Sequence, residues 1–257
     1  MSLQDKVTIV TGGLSGIGRA IATRLAGDGA RIVLFDAGGE SRDDGMPGDR
    51  LAAQLGTAAF VRGDVGEPDD VDRMFDTATS TFGGVDILIN NAGVTAFKSL
   101  AELTVEDFDR VLRTNVRGPF LCAQRAVARM RRQPQRGVIV NVASNFAFVG
   151  ATDAVAYCTS KGAVVSMTQA LAAEVGADGI RVNALCPGAT ATEFNRTHRA
   201  RPEIAAEWER MTPLRVDGDR YLATPAEIAE AAAFLANDTS RFMTGAALVV
   251  DGGWNAK

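Results

Sequence analysis

Short apolar runs alternate with longer helical patterns along the whole chain, and this alternation constrains the fold more than any other feature. Parallel strands need a crossover of a dozen or more residues, usually a helix, so the alternation predicts an α/β fold. The expected architecture is a doubly wound, mainly seven-stranded parallel sheet with helices on both faces. The predicted strands are VTIV (7–10), RIVLF (31–35), AAFV (58–61), VDILIN (85–90), GVIVNVA (137–143), IRVNAL (180–185) and AALVV (246–250).

The stretches between these strands carry the helical patterns. Helices are expected at about 16–28, 68–82, 104–132, 155–176 and 225–236, with broken helices near 48–55 and 193–211. No Pro/Ser-rich linker, internal repeat or low-complexity block divides the chain, and the Gly/Asp-rich loop 38–49 falls within the alternation. We therefore predict a single domain over residues 1–257, with a substrate-loop insertion at about 189–221.

Composition excludes several classes of function. The 257 residues are 46% apolar, enough for a large core, and the net charge of −4 leaves no basic stripe for nucleic acid. The first residues do not resemble a signal peptide, and no apolar stretch approaches the roughly 20 residues that span a bilayer. One histidine and three cysteines (Cys122, Cys158 and Cys186) lack metal-ligand spacing. We predict a cytoplasmic protein with reduced thiols that needs no metal, membrane or nucleic acid.

A glycine-rich turn, TGGLSGIG (11–18), follows the first strand and opens an alanine-rich helix. Amides at the start of a helix, together with the helix dipole, favour a pyrophosphate, and Gly12, Gly16 and Gly18 permit close approach. The spacing is GxxxGxG, whereas the common dinucleotide fingerprint is GxGxxG. Taken alone, this turn is either a phosphate site or only a turn.

An acidic residue at the end of the second strand supports the first interpretation. Asp36 lies twenty residues beyond Gly16, where a carboxylate binds the ribose hydroxyls of an adenosine and repels a 2′-phosphate. Its neighbours Leu14 and Ala37 are not basic, and Arg42 stands among acidic residues. The sequence therefore predicts NAD as the cofactor in preference to NADP.

A tyrosine and a lysine stand four residues apart in a chain that uses both types sparingly. Tyr157 is one of two tyrosines, and Lys161 is one of four lysines against 23 arginines. The spacing places both side chains on one helix face. By itself, the pair is either a surface contact or a reactive site.

Taken together, the motifs resemble the single-domain branch of the short-chain dehydrogenase/reductase family from end to end. The resemblance implies a Rossmann-like fold. The matching motifs are TGGLSGIG (11–18), the Asp64–Val65 pair after the third strand, NNAG (90–93), Asn115, Ser144 thirteen residues before Tyr157, Tyr157-x-x-x-Lys161, CPG (186–188) with Thr190 and Thr192, and TG…VVDGG (244–253).

The resemblance implies a set of site residues. The implied catalytic residues are Asn115, Ser144, Tyr157 and Lys161. The implied cofactor-binding residues are Gly12, Ser15, Gly16, Ile17, Gly18, Asp36, Asp64, Val65, Asn91, Ala92, Gly93, Tyr157, Lys161, Pro187, Gly188, Thr190 and Thr192.

The chemistry of these residues suits proton transfer beside a nicotinamide. An ordinary tyrosine has a pKa near 10, and the Lys161 ammonium with the positive nicotinamide ring is expected to lower the pKa of Tyr157. A compact ammonium can reach both ribose and phenol. Tyr157 would take the alcohol proton as hydride leaves for NAD, and Ser144 would hold the substrate oxygen. By resemblance, Asn115 holds a water in the proton relay behind Lys161.

The leading hypothesis is an NAD-dependent oxidoreductase that acts on a secondary alcohol or the matching ketone. A polyol, sugar or cyclic alcohol is favoured over a hydroxyacyl substrate, because the 3-oxoacyl-thioester reductases that the chain resembles usually use NADPH. A non-catalytic nucleotide-sensing or scaffold protein is the alternative of another class, and it predicts the loss of a catalytic residue. An extended-branch epimerase or dehydratase is disfavoured by the short length and by the glycine spacing.

Substrate choice is expected to come from loops at the carboxyl ends of the strands. Four phenylalanines suggest a partly apolar pocket, and His198 is expected at the surface. The locally basic RTHRAR (196–201) is either a solvated surface run or a site that binds a carboxylate or phosphate. The resemblance also implies a homotetramer, with a dimer as the second choice, because the apolar C-terminal strand needs covering. The four phenylalanines are Phe97, Phe146, Phe148 and Phe194.

Overall fold

The computed structural model describes residues 3–256 and contains one sheet of seven parallel strands. The strands are β1 (Val7–Thr11), β2 (Arg31–Asp36), β3 (Ala58–Arg62), β4 (Ile87–Asn90), β5 (Val138–Val142), β6 (Arg181–Pro187) and β7 (Ala247–Val250). Their order across the sheet is β3-β2-β1-β4-β5-β6-β7, and every neighbouring pair is parallel. The predicted fold class is confirmed.

Helices connect the strands and cover both faces of the sheet. They are α1 (Gly16–Gly27), α2 (Gly48–Leu55), α3 (Pro68–Phe82), α4 (Val105–Leu112), α5 (Gly118–Met130), α6 (Val155–Val175), α7 (Arg196–Arg199), α8 (Pro202–Met211) and α9 (Pro225–Ala236). Within residues 3–256, none of these helices has the length and apolar character required to cross a bilayer.

The alternation of side chains along each strand produces two separate cores. In β2, Ile32 and Leu34 are fully buried in the core formed with α1, α2 and α9, while Val33 and Phe35 are buried in the core formed with α3 and α5. Successive strand residues point to opposite faces, so one apolar run supplies both cores. Burial of each such side chain contributes roughly 1.5–3 kcal/mol.

The helix predicted over 104–132 is interrupted by a π-helical turn. Residues Arg113–Arg117 form this wider turn between α4 and α5, and Pro119 is the second residue of α5. Proline has no amide hydrogen to donate to the carbonyl four residues earlier, here that of Asn115, and its ring crowds that carbonyl. A π turn relieves both problems and is frequent at functional sites. It leaves the Asn115 side chain completely buried.

The functional crevice follows from the strand order. Strand β1 lies between β2 and β4, because the strands after β1 are added first on one side of it and then on the other. In such sheets, ligands bind outside the carboxyl ends of the strands at the point where the strand order reverses. The carboxyl ends of β1, β4, β5 and β6 bring Gly12, Asn91, Ser144 and Gly188 to this edge of the sheet. Helices α7 and α8 lie between β6 and β7 in sequence, within the predicted insertion.

Candidate active site

A cavity of about 140 Å³ opens at the carboxyl ends of the strands. Most of the predicted site residues line it: Gly12, Ser15, Gly16, Ile17, Asn91, Ala92, Gly93, Ser144, Tyr157, Lys161, Pro187, Gly188, Thr190 and Thr192. The other five predicted residues do not line the cavity: Gly18, Asp36, Asp64, Val65 and Asn115. The cavity therefore joins the glycine turn to the Tyr157–Lys161 pair.

The glycine turn depends on backbone geometry that only glycine adopts freely. Gly12 and Gly16 have φ angles of 63° and 53°, in the left-handed region. Gly18 has a different role, because a Cβ built there would lie 2.0 Å from the carbonyl oxygen of Gly12. Gly18 thus lets α1 pack tightly against the turn, and it need not touch a ligand.

An acidic side chain from the loop after β2 binds the amide where the sequence predicts a pyrophosphate. The Asp43 Oδ2 accepts a hydrogen bond of 2.7 Å from the Gly16 amide at the start of α1. The same loop donates the Arg42 amide to the Ser15 Oγ at 2.7 Å, and Asp44 forms an ion pair with Arg19. A carboxylate oxygen at this amide shows that the turn fits an anionic group such as a dinucleotide pyrophosphate. Sequence reasoning missed Asp43.

Asp36 lies beside the same turn. Its carboxylate accepts hydrogen bonds from the amides of Leu14 at 3.3 Å and Gly38 at 3.1 Å, which hold it at the end of β2. The ribose-binding position predicted for Asp36 is compatible with this placement, because the amide of Leu14 belongs to the glycine turn itself.

Asp64 and Val65 have partners within the protein. The Asp64 carboxylate pairs with Arg113 at 3.0 Å and accepts the Gly66 amide at 2.7 Å. Val65 is buried and faces Gly118, where an added Cβ would lie 2.6 Å from its Cγ2. The structure thus gives both residues a role in joining the segment after β3 to the π turn and α5.

A buried threonine connects the glycine turn to the NNAG segment. The Thr11 Oγ1 accepts the amides of Asn91 and Ala92, each at 3.0 Å, and the Asn91 Nδ2 donates to the carbonyl of Gly12 at 3.1 Å. These bonds fix the ends of β1 and β4 relative to each other. Thr11 was not among the predicted residues, and its position at the end of a buried strand was the available signal.

Lys161 is an almost fully buried cation, 4% exposed. Its Nζ donates a hydrogen bond of 2.8 Å to the carbonyl of Val142 and lies 5.5 Å from the centroid of the Tyr157 ring. A Cβ built on Gly93 would lie 3.8 Å from the same Nζ, so the NNAG segment passes directly beside it. Burial lowers the pKa of Lys161 to about 8.

Burial raises the pKa of Tyr157 well above its usual range, and a hydrogen bond with Ser144 acts in the opposite direction. The sequence predicts a lowered pKa when the Lys161 ammonium and the positive nicotinamide ring act together. In the protein without its cofactor the direction is the opposite, because burial of the phenol outweighs the effect of its neighbours. Without the cofactor, the phenol of Tyr157 is therefore protonated at neutral pH.

The side-chain amide of Asn115 is committed to protein partners. Its Oδ1 accepts the Val94 amide at 2.8 Å, and its Nδ2 donates to the Val94 carbonyl at 2.9 Å and to the Ser160 Oγ at 3.0 Å. Both amide hydrogens are thus used. The side chain holds the loop after β4 against α6, and a relay water would have to bind elsewhere, at a remaining lone pair or at the backbone.

Aromatic side chains surround Tyr157 on the side away from the glycine turn. The ring centroids of Phe97, Phe146 and Phe194 lie 6.2, 6.4 and 6.0 Å from that of Tyr157. Two tryptophans that sequence reasoning missed complete this group, which we call the aromatic wall: Phe97, Phe146, Phe194, Trp208 and Trp254.

A second cavity of about 130 Å³, the side chamber, adjoins the first. Phe97, Phe146, Trp208 and Trp254 line both cavities. Phe148 lines neither and is 49% exposed, so its predicted place in the pocket is wrong.

The basic segment 196–201 is largely neutralised and partly directed inward. Arg196 pairs with Glu193 at 2.7 Å, and Arg201 pairs with Glu203 at 2.8 Å. His198, expected at the surface, instead stacks on Phe97 with a centroid separation of 4.0 Å and lines the side chamber. Among residues 3–256, no group of three or more histidine, cysteine or acidic side chains is arranged to hold a metal ion.

Comparison with known proteins gives matches over essentially the full chain. Residues 12–255 match a family model described as enoyl-(acyl carrier protein) reductase. The chain is 38% identical to an L-rhamnose 1-dehydrogenase (NAD(P)(+)) of Azotobacter vinelandii over 98% of each chain. It is 40% identical to a D-threitol dehydrogenase of Mycolicibacterium smegmatis, over 99% of this chain and 95% of that one.

A solved structure agrees with these matches. It is the crystal structure of a short-chain type dehydrogenase/reductase from Mycobacterium marinum, with a TM-score of 0.90 and 33% identity, covering 100% of this chain and 98% of that one. Motifs, strand order and relatives point in one direction. The chain belongs to the short-chain dehydrogenase/reductase family, whose members are oxidoreductases that use NAD(H) or NADP(H).

Proposed function

We propose that the protein oxidises a secondary alcohol to the matching ketone with NAD, and catalyses the reverse reaction with NADH. The observation that carries this proposal is the buried pair of Tyr157 and Lys161, which lines one cavity together with the glycine turn. The two relatives named above are dehydrogenases of a sugar and a polyol, each of which has secondary hydroxyl groups.

Tyr157 is the acid–base residue in this proposal. When bound, the nicotinamide dinucleotide accepts or supplies the hydride. Tyr157 takes the alcohol proton during oxidation and returns it to the carbonyl oxygen during reduction. Ser144, which is 6% exposed and lines the same cavity as Tyr157, holds the substrate oxygen beside the phenol.

Lys161 and Asn115 support that proton transfer in different ways. Lys161 presents an ammonium to the ring of Tyr157 and to the cavity, where it can bond a ribose hydroxyl. Asn115 does not line the cavity and acts as a positioning residue, because its amide fixes Val94 and Ser160 on either side of the site.

One carboxylate supports NAD as the preferred cofactor. Asp36 is held at the glycine turn, where a 2′-phosphate would meet its negative charge. Arg42, which also lines the cavity, is the residue that could offset this repulsion.

A second candidate activity is reduction of the 3-oxo group of an acyl thioester. The family model that the chain matches carries the description enoyl-(acyl carrier protein) reductase, and the acyl-carrier substrate in that description is the observation in its favour. A 3-oxoacyl-thioester reductase would reduce the ketone through the same Tyr157 and Ser144. The two candidates therefore differ in the substrate that gives the highest kcat/KM.

The cofactor test compares kcat/KM for NAD and NADP with secondary alcohols, followed by NADH or NADPH absorbance. We expect kcat/KM with NAD to exceed kcat/KM with NADP at least tenfold. Asp36→Asn should reduce that ratio about tenfold, because a charge interaction of about 1.4 kcal/mol corresponds to a factor of ten. Asp49→Asn, an exposed carboxylate on α2, is the matched control and should leave the ratio unchanged.

A preference for NADP in the unaltered protein would refute the role given to Asp36. A higher kcat/KM for 3-oxoacyl thioesters than for every alcohol and simple ketone tested would favour the second candidate.

We also propose that the chain is a single cytoplasmic domain that assembles as a homotetramer. The cysteines Cys122, Cys158 and Cys186 are free thiols, and the edge strand β7 exposes Val249, an apolar surface that a partner subunit would cover. A gel-filtration mass near that of one chain would contradict the tetramer, and recovery with the membrane fraction would contradict the location.

A further inference from the structure

We propose that the substrate is a secondary alcohol bearing an apolar ring, and that the aromatic residues shared by the two cavities select that ring. The inference rests on the proposed function and narrows it to one substrate class. The ring would occupy the side chamber while the carbinol lies at Tyr157.

The first support is the arrangement of rings around the reacting phenol. Phe97 lies 6.2 Å and Phe146 6.4 Å from Tyr157, and each also lines the side chamber. Trp254 meets Phe146 edge to face at 5.8 Å and Trp208 at 6.4 Å, so the aromatic contacts form a continuous chain. Aromatic pairs favour such tilted geometries, and they present apolar surface to anything placed between them.

The second support is size. The side chamber measures about 130 Å³, and a cavity of about 150 Å³ lined by apolar side chains is known to hold one benzene molecule. The chamber is therefore matched to a single six-membered ring. Its other apolar lining includes Val149, Ile204 and Met211.

The third support is the small number of polar side chains that a polyol could use. Besides the indole N–H groups of Trp208 and Trp254, the side chains in the chamber with hydrogen-bonding groups are Thr152, His198 and Glu207, of which Glu207 is exposed. Burial lowers the pKa of His198, so its imidazole is uncharged at neutral pH. Each polyol hydroxyl buried there without a partner would lose its hydrogen bonds to water and weaken binding. An apolar ring carries no such cost.

Two polar residues of the main cavity on this side have partners within the protein. The Asn195 Nδ2 donates to the Thr190 carbonyl at 2.9 Å, and Glu193 pairs with Arg196, whereas the Asn195 Oδ1 is buried without a hydrogen-bond partner. These residues belong to the segment that follows Gly188. The aromatic wall is the apolar surface that faces a substrate beyond Tyr157.

The test measures kcat/KM with NAD for 1-phenylethanol, 1-cyclohexylethanol, 2-butanol, D-threitol and xylitol. We expect the two ring-bearing alcohols to exceed 2-butanol at least tenfold, since a single methylene in an apolar pocket already gives about tenfold or more. Both polyols should fall below 2-butanol.

Two variants test whether the aromatic wall causes the preference for ring-bearing alcohols. Phe97→Ala removes a half-buried ring that lines both cavities, and Trp208→Ala removes the larger, 6% exposed indole. Each should reduce the advantage of ring-bearing alcohols over 2-butanol at least fivefold, mainly through a higher KM for the ring-bearing alcohols. If Trp208→Ala does not fold, Phe97→Ala alone decides. Phe242→Ala, a fully exposed phenylalanine, is the matched control.

A higher kcat/KM for the polyols than for the ring-bearing alcohols would overturn the inference while leaving the proposed function intact. An unchanged ratio in Phe97→Ala and in folded Trp208→Ala would also overturn it. No turnover of any alcohol or of the matching ketones would overturn the proposed function, and the inference with it.

Discussion

The nucleotide end of the cavity and its substrate end differ in how far apart their residues lie in the sequence. Gly12, Gly16 and Gly18 stand within a single turn, and Asp36 ends the next strand. The aromatic wall collects one side chain each from the loop after β4, the end of β5, the residues after Gly188, helix α8 and the C-terminal segment. A local sequence motif therefore predicts the nucleotide end, whereas the substrate end is formed only when distant segments come together in the fold.

The two ends also differ in what holds them. The nucleotide end uses backbone amides, and the carboxylate at the Gly16 amide, that of Asp43, comes from an exposed loop. At the reaction end, Lys161 is 4% exposed and Asn115 is completely buried, with every amide hydrogen of Asn115 bonded. Substitutions at the reaction end should therefore have large effects, while removal of the Asp43 carboxylate should have a small one.

Replacing Lys161 should give the larger effect. We expect Lys161→Met to lower kcat by about 10²–10⁴, the usual contribution of acid–base groups. The same substitution should also show how much the buried ammonium lowers the free energy of unfolding. Its pKa falls from 10.5 to about 8, which corresponds to about 3 kcal/mol at pH 7. The cost disappears as the lysine loses its proton.

The sign of this pH dependence follows from the two pKa values. Between pH 8 and 10.5 the unfolded chain binds more protons than the native one, so the stability contributed by Lys161 rises with pH. The difference in free energy of unfolding between Lys161→Met and wild type should therefore shift by about 3 kcal/mol in favour of wild type over that range, as measured by urea denaturation. Lys98→Met, at an exposed lysine, should show no such shift. A pH-independent difference would contradict the buried cation.

Replacing Asp43 should give the smaller effect, in the opposite direction. Because its carboxylate holds the Gly16 amide, a pyrophosphate must displace it. We expect Asp43→Asn to lower the Kd for NAD about three- to tenfold, since a binding-competent state that is only partly populated weakens the apparent affinity. Titration of the cofactor by protein fluorescence or calorimetry measures this change.

The matched control is Asp49→Asn, which removes the same charge from an exposed position on α2. If both variants lower the Kd for NAD by the same factor, the effect comes from the change in net charge, and Asp43 does not compete with the pyrophosphate for the Gly16 amide. Weaker binding in Asp43→Asn would mean that the carboxylate helps to hold the cofactor.

The sequence was sufficient for the fold and for much of the cavity lining, because periodicity and short motifs are local properties. Three features required the structure. Pro119 explains the π turn at Asn115, yet the periodic pattern alone predicted one unbroken helix. The direction of the Tyr157 pKa depends on how completely the ring is buried. Trp208 and Trp254 meet only when α8 and the C-terminal segment fold over the same edge of the sheet.

The most direct measurement of the central claim replaces Tyr157 by phenylalanine and follows turnover and NAD binding in the same preparation. Tyr157→Phe removes the hydroxyl that transfers the proton while keeping the ring against Phe97, Phe146 and Phe194. Tyr221→Phe, at the only other tyrosine in the chain, is the control. We expect kcat to fall at least a hundredfold in Tyr157→Phe, with the Kd for NAD changed less than threefold and Tyr221→Phe active. Wild-type kcat in Tyr157→Phe would contradict the mechanism.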